Sequence, residues 1–156
     1  MKKYISCPSP AGLLYIAEED GAITNIEFDR RFSVLADWEN TETPLNKQAQ
    51  AQLGEYFAKE RREFDLPTRP GGTPFQAAVW QELGRIPYGE TRTYGEIAAR
   101  IGNPKACRAV GMANNRNPIS IVLPCHRVIG ADGSLVGYGG GLDIKRMLLD
   151  LESENQ

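Results

Sequence analysis

The stretch TYGEIAARIGNPKACRAVGMANNRNPISIVLPCHRV, residues 93–128, decides the fold. Thr93 and Glu96 stand three apart ahead of Ile97-Ala98, the spacing at which a hydroxyl and a carboxylate satisfy each other's free amides at a helix start. That helix runs to Gly102, and Asn103-Pro104 restarts a second one through about Ala113. Two short helices around Gly102-Asn103 have the length and punctuation of a helix-turn-helix, a pattern that an ordinary helical hairpin shares. Ile119-Ser120-Ile121-Val122-Leu123 is short and apolar, which predicts a buried strand leading straight into Pro124-Cys125-His126-Arg127-Val128. A buried segment thus delivers a cysteine beside the only histidine of the chain.

Working outward, Gly130 to Ser134 reads as a turn and Gly137-Tyr138-Gly139-Gly140-Gly141 as a loop around an aromatic. Asp143 is expected to cap a last helix with Ile144, Leu148 and Leu151 facing inward. Upstream, Thr73-Pro74 opens a helix striped by Phe75, Val79 and Leu83 that stops at Gly84, followed by a turn at Ile86-Pro87-Tyr88-Gly89. Residues 66–72, rich in Pro and Gly and without periodicity, read as a linker. Before it, Thr43-Pro44 starts a helix carrying Leu45, Ala49, Leu53 and Phe57 and ending near Arg62, and residues 11–28 form a β-hairpin turning at Glu19-Asp20-Gly21. The expected class is α+β. A small hairpin-plus-helix lobe, 1–68, precedes a mostly helical lobe, 72–156, holding the helix-turn-helix and a short active-site strand.

A chain of 156 residues, 41% hydrophobic, can bury one good core or two small packed lobes. No stretch approaches the roughly 20 apolar residues of a membrane span, and MKKYISCPSPAG has no signal-peptide core, so a cytoplasmic protein is expected, nuclear if the source is eukaryotic. Cys7, Cys107 and Cys125 are odd in number and form no C-x-x-C pair, which speaks against a disulfide framework and a cysteine-rich zinc site. The net charge is −2, but residues 85–127 carry seven basic and two acidic side chains. Arginines at 85, 92, 100, 108, 116 and 127 dominate that excess and suit phosphate contacts.

A thiolate is the reactive form of cysteine and an imidazole can take its proton, so Cys125-His126 reads as a nucleophile with its base. On the dipeptide alone, a buried thiol beside a packed histidine is the better reading, and extended neighbours point to opposite faces. Glu152 lies on the inward stripe of the last helix near its C-terminus, where a negative charge is disfavoured. A partner such as His126 explains it; so does a solvated chain end.

Gly72-Thr73-Pro74-Phe75-Gln76, Val79-Trp80, Ile86-Pro87-Tyr88-Gly89-Glu90-Thr91, Tyr94, Gly102-Asn103-Pro104-Lys105, Arg108-Ala109-Val110-Gly111, Asn117-Pro118, Pro124-Cys125-His126-Arg127-Val128 and Gly140-Gly141-Leu142 together resemble the O6-alkylguanine-DNA alkyltransferases. The resemblance is strong over residues 72–152; the N-terminal lobe shares only the hairpin-then-helix order. It implies DNA repair by a single direct transfer of an alkyl group from O6 of guanine to Cys125. His126 would act through a water and be oriented by Glu152, Asn117 would brace the turn, and Tyr94 would line the pocket and give its hydroxyl proton to guanine N3. Arg108 would fill the space of the flipped nucleotide from a helix kept thin by Ala106, Ala109, Gly111 and Ala113, with Lys105 beside it on the DNA. The carbonyls of Cys125 and Val128 and the backbone near Tyr138 and Gly139 would hold the base, and Ser120 and Val136 would shape the pocket.

The resemblance also implies double-stranded DNA carrying O6-alkylguanine as the partner, bound by a monomer through the minor groove with little sequence preference. No cofactor is needed, since the damaged base is the donor. Relatives with a structural zinc bind it in the N-terminal lobe; only Cys7 and no histidine stands there, so no metal is expected. A cysteine hydrolase would release product repeatedly, a binding-only relative would lack Cys125, and a helix-turn-helix regulator would need sequence readout. Glu152→Gln is expected at this point to slow transfer and spare the fold.

Overall fold

The computed structural model describes residues 1–29, 37–138 and 140–156. The hairpin forms as β2 and β3 inside a larger sheet: β1 (Lys3–Cys7), β2 (Leu14–Glu19), β3 (Ala22–Phe28) and the two-residue β4 (Glu39–Asn40), in the order β3-β2-β1-β4. β1 pairs antiparallel with β2, Ile5 opposite Ile16, and parallel with β4. Neither β1 nor β4 follows from the hairpin pattern, because five residues inside the sheet and two at its edge are set by pairing rather than by turn residues.

α1 (Pro44–Phe57) is capped by the Thr43 hydroxyl, which accepts from the Asn46 amide. It stops at Phe57, five residues before the expected Arg62, because Lys59 adopts a left-handed φ of 64° that no helix continues through. Its inward face is Ala49, Gln52, Leu53 and Tyr56; Phe57, expected inward, is only half-buried beside Tyr56.

α2 (Pro74–Leu83) starts on Thr73, and β5 (Arg92–Thr93) leads into α3 (Tyr94–Arg100) through the anticipated capping box, the Glu96 amide donating to Thr93 Oγ1 at 3.1 Å and the Thr93 amide to Glu96 Oε1 at 3.0 Å. α4 (Cys107–Asn115) begins three residues later than Asn103-Pro104 suggested, with 103–106 turning ahead of it. α3 and α4 pack on each other and on α2, Trp80 Nε1 donating to the Ala113 carbonyl at 2.8 Å.

The strand expected over 119–123 does not form. Ile119 makes a single parallel bridge to Ile26, after which the Leu123 amide turns back onto the Ile119 carbonyl at 3.0 Å. Ile121 sits at φ 72°, a region that a β-branched residue adopts only when its surroundings enforce it. Cys125–Arg127 is one turn of 3-10 helix, and β6 (Val128–Ile129), pairing parallel with β5, is the short strand of the site. α5 (Leu142–Glu154) closes the chain; its cap position is Gly141 at φ 103°, with Asp143 already inside the first turn rather than capping it.

The outer edge of β3 is covered twice. The Ile23 amide donates to the Pro67 carbonyl and the Arg69 amide to that of Ile23, both at 2.8 Å. The Ile26 amide donates to Pro118 and the Ser120 amide to Ile26 at 2.8 and 2.9 Å. Linker and active-site approach are therefore pinned to one sheet edge, which also blocks edge-to-edge association. Packing crosses the linker: Ile119, Ile121, Ile144 and Leu148 complete the core beneath the sheet and α1, while Cys125 and Val128 join the core of α2, α3 and α4.

Candidate active site

Cys125 lies in the seam between these two cores, its residue 3% exposed. The 3-10 turn sends the next two side chains inward as well, so His126 is 0% and Arg127 6% exposed. Both meet Glu152, which is 1% exposed on the inner face of α5. Its carboxylate accepts five hydrogen bonds: His126 Nε2 at 2.6 Å, Arg127 Nε at 2.8 Å and Nη2 at 3.0 Å, the Tyr56 hydroxyl at 2.6 Å and the Gly89 amide at 3.2 Å. Of the two sequence readings of Glu152, the partner of His126 is the one the structure holds.

The electrostatics of this cluster set the tautomer of the base. Burial pushes the Glu152 carboxyl upward, but the hydrogen bonds and charge of His126 and Arg127 overcome it and hold the group well below the usual carboxylate range. Burial lowers His126 more than Glu152 raises it, leaving a neutral imidazole. An ionised Glu152 only accepts, so the proton sits on Nε2 and Nδ1 keeps its lone pair. Nδ1 is buried and has no hydrogen-bond partner among the described residues.

These shifts carry a stability prediction. His126 has a folded pKa below its ordinary 6.5, and Glu152 one below its ordinary 4.5. In both windows the unfolded chain binds more protons, so stability falls on acidification, first below about pH 6.5 and again below about pH 4.5. Thermal melts from pH 8 to pH 4 should show the midpoint dropping through both windows; a midpoint flat down to pH 5 would refute a neutral buried His126.

Asn117 is 1% exposed and spans the turn that follows it: its Nδ2 donates to the Leu123 carbonyl at 2.7 Å and its Oδ1 accepts from the Ile119 amide at 3.0 Å. Those bonds replace the ladder of a strand, which is why residues 119–123 turn. Asn114, not anticipated, holds the Cys125 carbonyl through Nδ2 at 3.2 Å. Tyr94 is half-buried at the head of α3, donating its hydroxyl to the Val136 carbonyl at 2.7 Å, and burial raises its phenol so that it keeps its proton. Tyr138 packs edge-on against Phe28 and its buried hydroxyl is raised first by burial and then by Cys125. Ser120 is buried, Val136 is 45% exposed, and the Val128 carbonyl accepts from Lys145 at 2.5 Å. Gly139 lies outside the described residues.

The DNA-facing candidates gather at the start of α4. Lys105, Arg108 and Ala109 are exposed and Ala106 half-exposed, and Arg108 lines an open cavity of about 290 Å³ with Tyr94, Gly111 and Val136. The arginine excess divides: Arg127 is committed to Glu152 and unavailable to phosphate, correcting its sequence assignment, and Arg85 and Arg92 pair with Glu82 and Glu90. Arg100, Lys105, Arg108 and Arg116 are exposed around the two helices with no ion pair among the described residues.

Two family models match, described as the 6-O-methylguanine DNA methyltransferase ribonuclease-like domain over residues 2–70 and DNA binding domain over residues 74–154. The chain belongs to the 6-O-methylguanine DNA methyltransferase family. It is 51% identical over 152 residues to a methylated-DNA-protein-cysteine methyltransferase of Methanosarcina acetivorans, covering 96% of this chain and 97% of that one. It is 49% identical to a constitutive methylated-DNA-protein-cysteine methyltransferase of Bacillus subtilis over 97% and 96% of the two chains. The crystal structure of Mycobacterium tuberculosis OGT in complex with DNA superposes with a TM-score of 0.93 at 48% identity, covering 98% and 94%. No helix among the described residues of this methyltransferase-family chain is long and apolar enough to cross a membrane.

Proposed function

We propose that this chain repairs DNA by moving an alkyl group from O6 of guanine to Sγ of Cys125, once per molecule. One observation carries the reading: a buried thiol adjoins an imidazole whose Nε2 is fixed by a carboxylate and whose Nδ1 is left with a lone pair. The thiol proton passes through water to Nδ1, Sγ bonds to the alkyl carbon, and the carbon–O6 bond breaks with its electrons going to the purine. The purine takes a proton at N3 from Tyr94, whose phenol is restored from the imidazolium through solvent. Thiol and alkylguanine become thioether and guanine, and a thioether has no leaving group for a second cycle. Intact-mass measurement after incubation with an O6-methylguanine duplex should show one added methylene at Cys125 and none with an unmodified duplex. Continuous turnover of a thioester without mass gain would point to a hydrolase instead.

O6 in a stacked pair is out of reach of a thiol this deeply buried, so the nucleotide must leave the helix. Arg108, exposed beside the open cavity and flanked by Ala109 and Gly111, is the group suited to fill its place from the minor groove, with Lys105 and Ala106 at the backbone and little sequence preference. The protein acts as a monomer in the cytoplasm, with 1–68 as a packing lobe and 72–156 carrying the chemistry. Arg108→Ala should reduce transfer from duplex by roughly 10–100-fold, since extrusion of a paired base costs a few kcal/mol, while transfer from single strands and from free O6-methylguanine holds. Equal losses on all three substrates would sink the finger assignment.

A further inference from the structure

The C-terminal end of α5 meets the end of α1 across the linker. On the surface Lys59 pairs with Glu154 at 2.9 Å, Asn155 Nδ2 donates to the Lys59 carbonyl at 3.1 Å, and Arg62 donates to the Asn155 carbonyl. At the buried end of this seam stands Tyr56, 0% exposed, its ring fixed by Phe57, Phe64 and Tyr88 at centroid distances of 5.4, 5.6 and 6.2 Å. Its hydroxyl donates to Glu152 Oε2 at 2.6 Å. Through that bond the N-terminal lobe reaches the active-site carboxylate.

A buried hydroxyl needs an acceptor, and one with a purely structural role is served by any acceptor within reach. This one takes the oxygen that His126 uses. Oε2 receives Tyr56, His126 Nε2 at 2.6 Å and Arg127 Nη2 at 3.0 Å, whereas Oε1 receives Arg127 Nε and the Gly89 amide. These five donors exceed the roughly four lone-pair sites of a carboxylate, so the three on Oε2 compete. We infer that Tyr56 is a positioning residue of the active site: its hydroxyl holds Oε2 in place and draws off part of the negative charge that Glu152 would otherwise direct at His126, so that the imidazole stays neutral and Nδ1 stays open as a proton acceptor. That Nδ1 takes the thiol proton rests on the alkyl-transfer reading; the sharing of Oε2 does not.

A carboxylate that gave its full charge to the ring would pull a second proton onto it. Burial is the largest effect holding His126 down, helped by Arg127 from its own turn and Lys145 from α5, and Glu152 alone among its charged neighbours pulls it up. The balance is therefore set at Oε2. Facing Tyr56 are Glu152, Arg127 and Tyr88, and burial followed by the Glu152 charge raises the phenol so far that it remains a donor at any pH the fold survives.

His126 is the only histidine of the chain, so the imidazole 15N signals of tag-free, full-length protein report it alone. They are followed from pH 4.5 to 9 in the parent, in Tyr56→Phe, in protein carrying 3-fluorotyrosine at position 56, and in Lys59→Met, which breaks the surface pair with Glu154 without touching Glu152. Tyr56→Phe should raise the midpoint of the imidazole titration by at least about 0.5, because Glu152 then gives more of its charge to the ring. The fluorinated phenol is the more acidic donor and should lower it; Lys59→Met should leave it unchanged. The acid limb of methyl transfer from free O6-methylguanine should move in the same direction as the titration in each variant. Opposite signs for the two changes at position 56 are what a hydroxyl with only a structural role does not produce. A parent-like midpoint in Tyr56→Phe, shifts of one sign in both, or an equal shift in Lys59→Met would overturn the proposal. If Tyr56→Phe fails to fold, the fluorinated protein decides by the sign of its shift, an unchanged or raised midpoint counting against. Should the parent itself fail to take up the methyl group, the transfer reading fails, and the titrations, which need no substrate, still decide the role of Tyr56.

Discussion

Cys125→Ser should show no methyl transfer from an O6-methylguanine duplex over hours, with binding to unmodified duplex retained. A serine hydroxyl stays protonated where a thiol beside a base does not, and is the weaker nucleophile even when activated. The substitution removes one buried sulfur and leaves Arg100, Lys105, Arg108 and Arg116 untouched on the exposed surface. The other thiols do not offer the same chemistry. Cys7 lies in the N-terminal core with its thiol raised by burial, and Cys107 is exposed at the start of α4, outside the His126–Glu152 cluster. Intact mass before and after incubation, with peptide mapping of all three cysteines, decides it. Stoichiometric methylation of the serine variant would move the acceptor to another residue and end the assignment.

Glu152→Gln should do more than slow transfer: it should destabilise the whole protein, which revises the expectation drawn from sequence. Arg127 is 6% exposed and both its contacts to Glu152 are bonds to the ionised carboxylate. An amide presents one acceptor oxygen, turns an NH2 group toward donors that need acceptors, and leaves the guanidinium buried without its counterion. Breaking a buried pair in this way costs about 3–5 kcal/mol, against a total of roughly 5–15 kcal/mol for a domain. A fall in melting temperature of roughly 10 °C is the expected result at pH 7. Arg127→Met combined with Glu152→Gln should lose less than the two single losses together, because the buried cation is then gone. A melting temperature unchanged in Glu152→Gln, with transfer undiminished, would show that His126 and Arg127 are held by something else.

The helix starts at Thr43, Thr73 and Thr93, the hairpin and the turn at 86–89 were legible because each depends on neighbours three or four positions apart, and local spacing is what a sequence displays. Cys125, His126 and Glu152 could be singled out for the same reason: a lone histidine beside a cysteine and a carboxylate on an apolar stripe are local anomalies. Which of two readings each anomaly deserved was not local. Tyr56 reaches Glu152 across 96 positions and Arg127 reaches Ile86 across 41, and no spacing rule spans either distance. Arg127 therefore read as a phosphate contact until burial removed it from the surface. Lys145 and Asn114 left no sequence signal beyond their place among helix residues, because their partners are backbone carbonyls, which every residue carries. The apolar run 119–123 read as a strand, since its composition fits one; Asn117 and the left-handed Ile121 turn it instead, and only the packed core that holds Ile119 and Ile121 makes that strained backbone the lower-energy choice. The sequence by itself determined the elements and the reactive residue types, while the tertiary structure decided which charges are buried together and hence which of those residues can react.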